Sequence, residues 1–267
     1  MGADIKSLRT RIKSVDSTLH LTKAMGLVAS SKIRRATEAM NKSREYSSAM
    51  ENLISLLCSS PECEKSAFMA KRDGNRVKLI IVAGDRGLAG GYNANVFRFA
   101  REYADAQFIP IGKRACDRFG GDRHYAEKFS VSDAFSLATA LCREFADGGY
   151  DRLGIISTEY ISIMTQEPKI KWLLPLTKAE NASGCGVVFE PDEETILNTA
   201  IVEYVTGELV SAVRESFASE VAARRCAMDS AGKNAQEMID GLQLQYNRAR
   251  QGAITQEITE IVAGSGS

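Results

Sequence analysis

The stretch Gly84-Asp85-Arg86-Gly87-Leu88-Ala89-Gly90-Gly91 has the residue types of a phosphate-binding turn. It follows the apolar run Val77 to Ala83 and precedes a helix-like segment. In that order of strand, glycine turn and helix, backbone N–H groups can cradle a phosphate. The spacing, however, matches neither G-x-G-x-x-G nor G-x-x-x-x-G-K-[ST], and no Lys-Ser or Lys-Thr follows a glycine loop. The structural alternative is a tight turn needing positive φ values, with Asp85 and Arg86 at the carboxyl edge of a sheet.

Other reactive side chains are sparse. The cysteines are Cys58, Cys63, Cys116, Cys142, Cys185 and Cys226, with no C-x-x-C pair. His20 and His124 stand far apart, so the clustering of a zinc site is missing. Free thiols in a reducing compartment and surface histidines are the expectation. No G-x-S-x-G elbow occurs, and Glu193-Glu194 sits where acids complement a helix N-terminus. With no motif around either histidine, acid–base catalysis is not indicated.

The elements that would carry these residues are read from periodicity. Alternating steps of three and four from Ile5 give Ile5, Leu8, Ile12, Val15, Leu19, Thr22, Gly26, Ala29, Ile33, Ala36, Met40, Ser43, Ser47, Met50, Ile54 and Leu57. Twelve of these sixteen are aliphatic or Met and none is charged, and no proline occurs before Pro61. This is a heptad seam on one helix, about 80 Å long at 1.5 Å per residue. Such a helix is too long for a compact domain, so part of it is expected to project. A second seam runs through Phe217, Val221, Arg224, Met228, Ala231, Ala235, Met238, Leu242, Gln245, Ala249, Gly252 and Gln256. Ile254, Ile258 and Ile261 continue an apolar stripe on a shifted phase. No proline follows Pro191, so this helix is expected over about Glu193 to Val262. Small residues punctuate both seams and permit close approach. The simplest arrangement pairs the two ends of the chain antiparallel.

Between the seams the texture is α/β. Val77 to Ala83, Phe108 to Gly112, Arg152 to Thr158, Lys169 to Leu176 and Val187 to Phe189 read as strands. Ala94 to Ala106, Lys113 to Phe119 and Asp133 to Ala146 read as helices. Alternation of this kind implies a Rossmann-like α/β domain with a mostly parallel sheet. The expected division is an N-terminal helix over 1–60, a central α/β domain over 76–191 and a C-terminal helix over 193–267.

Net charge is zero, with 44% hydrophobic and 25% charged residues, which is ordinary for a soluble protein. The start, MGADIKSLRT, has no apolar signal core, and the apolar runs are too short to span a bilayer. The first 44 residues carry ten basic and three acidic side chains, net +7. A basic helix of this kind suits an acidic protein surface, a membrane or nucleic acid. Nucleic acid is disfavoured by the scarcity of aromatic residues for stacking and by the absence of a common module.

Three separated stretches resemble the gamma subunits of F-type ATP synthases. The first is Ile5-Lys6 through Arg11-Ile12, with Leu21-Thr22-Lys23-Ala24-Met25 and Ser31-Lys32. The second, Asp85-Arg86-Gly87-Leu88-Ala89-Gly90-Gly91-Tyr92-Asn93, resembles the D-R-G-L-x-G-G-x-N signature. The third starts with Glu215-Ser216-Phe217-Ala218-Ser219-Glu220. It continues through Asn234-Ala235, Tyr246-Asn247, Arg250-Gln251 and Ile254-Thr255 to Glu257-Ile258-Thr259-Glu260-Ile261-Val262. Gly26, Gly232-Lys233 and Ala89 depart from the usual residues, and no plant-type cysteine insertion is evident.

The resemblance implies a non-catalytic central-stalk rotor without cofactor or metal. Its terminal helices would form a coiled coil inside a head of alpha and beta subunits. Its α/β domain would meet the epsilon subunit and the membrane c-ring. Ion-driven rotation would then cycle the catalytic beta subunits. Residue by residue, Arg250 and Gln251 match the Arg-Gln that contacts a beta-subunit loop, and Thr255 and Glu257 lie in the same run. Lys23 and Met25 match the stretch facing the acidic lever segment of beta. Localisation would be peripheral, on the cytoplasmic face of a bacterial membrane or the corresponding organellar membrane. Two rival readings are a coiled-coil adaptor with a ligand-binding α/β domain and a phosphate-binding enzyme using the glycine turn.

Overall fold

The computed structural model describes residues 2–72, 74–121, 125–178 and 189–265. Its elements in chain order are α1 (Gly2–Cys58), β1 (Val77–Val82), α2 (Tyr92–Ala100), β2 (Gln107–Ile111), α3 (Lys113–Phe119), α4 (Val131–Ala146), β3 (Arg152–Tyr160), β4 (Gln166–Leu174) and α5 (Glu193–Ser265). Two compact units emerge, one of Met1–Ser30 with Arg224–Ser267 and one of Ser31–Ala223. Helices α1 and α5 each contribute to both. The expected strand near Val187 lies outside the described residues, as do Cys185 and His124.

In the larger unit the sheet order is β2-β1-β3-β4. Strand β1 pairs parallel with β2 and β3, and β3 pairs antiparallel with β4. Alternate β1 side chains face opposite layers, as strand geometry requires. Ile80 and Val82 join a core built with Ile54 and Leu57 of α1, Leu141 and Phe145 of α4, and Leu197 and Leu209 of α5. Leu79 and Ile81 join the other, with Val96 and Ala100 of α2 and Ala115 of α3. Burying one such side chain contributes about 1.5–3 kcal/mol as an upper bound.

Local signals set the helix ends. Ser130 and Asp133 form a reciprocal capping box at the start of α4. The Thr195 N–H donates to Asp192 Oδ1 at 2.8 Å at the start of α5. The helix expected to reach Ala106 stops at Ala100, and a 3-10 turn over Arg101–Tyr103 follows. That turn brings the Tyr103 ring to 6.1 Å from Trp172, edge to face.

In both units α1 and α5 run antiparallel. In the smaller unit, a Cβ placed on Gly26 would lie 3.6 Å from Met228 Cβ, and one on Gly232 would lie 3.6 Å from Thr22 Oγ1. In the larger, Arg44 meets Glu215 and Ser47 meets Glu208. None of the sixteen expected α1 seam positions is exposed. On α5 the expected track is corrected beyond Ala235. Met238, Gln245 and Gly252 are exposed, and the covered positions are Ile239, Leu242, Tyr246, Ala249 and Ala253. The two tracks differ only in taking the four-residue step before the three. Ile239 and Tyr246 bury more apolar surface than the pair Met238 and Gln245 can, which selects the observed phase.

Candidate functional site

The glycine turn stands at the carboxyl end of β1, whose neighbours β2 and β3 lie on opposite sides. In open α/β sheets this switch point is where ligands bind. Here the chain fills it. The Asp85 carboxylate accepts the backbone N–H of Lys113 at 3.0 Å, of Ala126 at 2.9 Å and of Glu127 at 2.9 Å. The donors open α3 and a 3-10 turn, and such N–H groups are the ones a bound phosphate would use. Asn93 Oδ1 accepts the Gly84 N–H at 2.9 Å.

Helix α5 closes the crevice. The Thr158 N–H donates to Ser216 Oγ at 3.1 Å, Ser219 Oγ donates to the Thr158 carbonyl at 3.3 Å, and Tyr92 OH donates to the Ser216 carbonyl at 2.9 Å. Glu220 is buried against Gly84, where a Cβ would come within 2.7 Å of its carboxyl carbon. Thus Gly84 is glycine because Glu220 takes the space. Positive φ values occur within the turn at Gly90 (58°) and at Leu88 (60°), whose side chain is exposed. An exposed leucine in the left-handed region is an uncommon conformation.

The smaller unit holds all the residues expected to meet other subunits. Lys23 is exposed on α1 and Met25 half-buried. Arg250, Gln251, Thr255 and Glu257 are exposed on α5, with Thr255 Oγ1 donating to the Gln251 carbonyl at 2.9 Å. They form two groups. Lys23 and Met25 lie just before Gly26, which meets Met228, and Arg250 lies 22 residues further along α5 than Met228. At 1.5 Å per residue the separation is about 33 Å. The register also places the exposed stripe. Gly2 is 24 residues before Gly26, and 24 residues after Met228 comes Gly252. Ile254, Ile258, Ile261 and Val262 lie beyond that point on α5 and are exposed.

The ATP synthase family model matches residues 4–267. A curated ATP synthase gamma chain from Ruminococcus albus is 41% identical over 98% of this chain and 98% of its own length. The chain belongs to the ATP synthase gamma family. The fold agrees with solved structures of low identity. A chain of the Euglena gracilis mitochondrial ATP synthase, in its assembly of OSCP, F1 and c-ring, matches with a TM-score of 0.70. It is 18% identical and is covered over 94% of its length by 98% of this chain. A chain of the Tetrahymena thermophila mitochondrial central stalk and c-ring structure gives 0.58 at 21% identity, over 79% of this chain and 99% of that one.

Two of the gamma-family stretches thus meet in space. Tyr92 of the D-R-G-L signature donates to the Ser216 carbonyl of the Glu215–Glu220 run, and Gly84, just before the signature, packs on Glu220. Sequence reading missed Glu127, whose carboxylate binds Lys32 Nζ at 2.6 Å and lies 3.6 Å from Arg86. It also missed Leu21, Leu27 and Val28, which are exposed on α1. Their signal was present, since all three are apolar and fall outside the heptad seam.

Proposed function

We propose that this chain is the central-stalk rotor of an F-type ATP synthase and performs no chemistry itself. The observation that carries the reading is the antiparallel pairing of α1 with α5 in a chain of this family. A stiff, asymmetric pair of helices suits a part that turns within a ring of alpha and beta subunits. In this reading residues 1–60 and 193–267 make the shaft, and residues 76–191 make the body that meets the epsilon subunit and the c-ring. Lys23 and Met25 face the acidic lever of beta. Arg250, Gln251, Thr255 and Glu257 form a second contact with the head. The exposed stripe of Ile254, Ile258 and Ile261 gives that contact an apolar surface. Basic side chains on α1 guide association with acidic partners. The chain would be peripheral to the membrane, on its cytoplasmic side in a bacterium.

The occupied switch point supports a non-catalytic role. Asp85 and Glu220 put the protein's own carboxylates where a phosphate would need positive potential. Calorimetry on the purified chain is expected to give no ATP binding at micromolar concentration. Affinity purification from native membranes is expected to recover alpha, beta and epsilon subunits with it. Recovery without any of them would overturn the reading.

A further inference from the structure

Two carboxylates on α5, Glu208 and Glu215, stand seven residues apart and so two helical turns apart on one face. Both are buried. Each is bonded at once to α1 and to the sheet. Glu208 accepts Ser47 Oγ of α1 at 2.5 Å, and its other oxygen lies 3.0 Å from Lys171 Nζ of β4. Glu215 Oε1 accepts Arg44 Nη2 of α1 at 2.6 Å and the Tyr160 N–H of β3 at 3.0 Å. Lys171 also reaches Glu51 of α1 at 3.2 Å.

We propose that this double ionic junction is the torque-bearing link between the sheet and the paired helices. The inference rests on the rotor reading and assigns a mechanical role to residues that reading leaves without one. Apolar packing is non-directional, and surfaces that slide while staying buried keep most of its benefit. The two carboxylates are different: they are buried while Arg44 and Lys171 are half-exposed, so sliding would draw each carboxylate off its charged donor and leave it unpaired out of water. A solvent-open pocket of about 450 Å³ lies at this place, and Arg44, Glu51, Lys171, Glu208 and Glu215 are among its lining residues. These bonds resist shear between the layers beside the shared apolar core and the Thr158 bonds to Ser216 and Ser219. Burial alone would lower the pKa of the Lys171 ammonium, yet Glu208 and then Glu51 outweigh it and hold it above the usual lysine value.

The test separates load from stability. Replacing a buried ion pair by apolar residues of similar volume is often neutral for folding. In the assembled complex, Lys171→Met with Glu208→Leu removes two of the four bonds to these carboxylates. A magnetic bead on an engineered cysteine at exposed Ala104 then drives the sheet domain in the synthesis direction. We expect thermal stability and ATP hydrolysis by the head to stay at wild-type values. ATP made per forced turn is expected to fall below the wild-type yield, because the sheet slips against the helices under load. If the double variant does not assemble, Ser47→Ala is read the same way and is expected to lower the yield by less. Wild-type yield per turn in whichever variant assembles would overturn the proposal. If even the wild-type chain makes no ATP when turned, the rotor reading itself fails and takes this inference with it.

Discussion

The Asp85 carboxylate accepts the Lys113 backbone N–H at 3.0 Å, and so ties the turn after β1 to the first turn of α3. The same carboxylate holds Ala126 and Glu127. Asp85→Ala would leave these three N–H groups without their charged acceptor. A hydrogen bond to a charged group is worth about 1.5–3 kcal/mol. Partial replacement by water reduces the sum, and a loss of about 2–4 kcal/mol is expected by urea denaturation. Wild-type stability in the variant would remove Asp85 from its place as the organiser of the turn.

Two glycines should respond in opposite ways to alanine. Gly26 lies mid-helix, and an added Cβ would meet Met228 and Asp229 at 3.6 Å, ordinary contact. Glycine costs about 1 kcal/mol against alanine in a helix interior, so Gly26→Ala should stabilise by about 0.5–1 kcal/mol. Gly112 has φ +96°, and a Cβ there would strike the Ala83 carbonyl. Gly112→Ala should yield little soluble protein. Thermal melts and expression levels side by side check both.

Asp151 is buried and bonded to Arg76 through Nη2 at 2.7 Å, Nε at 3.1 Å and the backbone N–H at 2.9 Å. The Arg76 side chain, then its N–H, holds the carboxyl below its ordinary value. A depressed carboxyl contributes stability that is fully present above its unfolded pKa, about 3.9, and is lost as pH falls through the folded value. Asp151→Asn should therefore be less stable than wild type at neutral pH. The gap should close below about pH 4. Urea midpoints measured across that range give the answer, and a gap independent of pH would contradict it.

Arg250 and Gln251 are exposed on α5. Arg250→Ala with Gln251→Ala should leave the helix pair and the subunit ratios of the complex unchanged. Turnover in both directions should fall, since an arginine at a partly buried interface can contribute a few kcal/mol. Lys113→Ala on α3 is the control, because Asp85 uses only its backbone N–H. Wild-type synthesis and hydrolysis in the double variant would make these two residues ordinary surface.

The long helices were legible because a heptad seam repeats over many turns and each repeat adds to the signal. The α1 track survived intact through Thr22, Gly26, Ser43 and Ser47, none of them strongly apolar. The α5 track lost its phase at Ala235, where Met238 and Ile239 offer apolar side chains on adjacent faces. Only the register against α1 decides between them. The α/β order was legible from short apolar runs separated by glycine turns. The filling of the crevice was not, since Glu220 and Gly84 are 136 residues apart and nothing local to either marks their contact. The double junction of Glu208 and Glu215 was hidden for the same reason. Two acids seven residues apart on a helix read as a solvated face until the partners on α1 and the sheet are known.

Rotation is the most direct test of the proposed role. The alpha–beta head, assembled with this chain, is fixed to glass, and a bead is attached to an engineered cysteine at Ala104, exposed outside the helix pair. On addition of ATP the bead should turn steadily in one direction and stop when the nucleotide is removed. A bead that stays fixed to the head while the same complexes hydrolyse ATP would contradict the account.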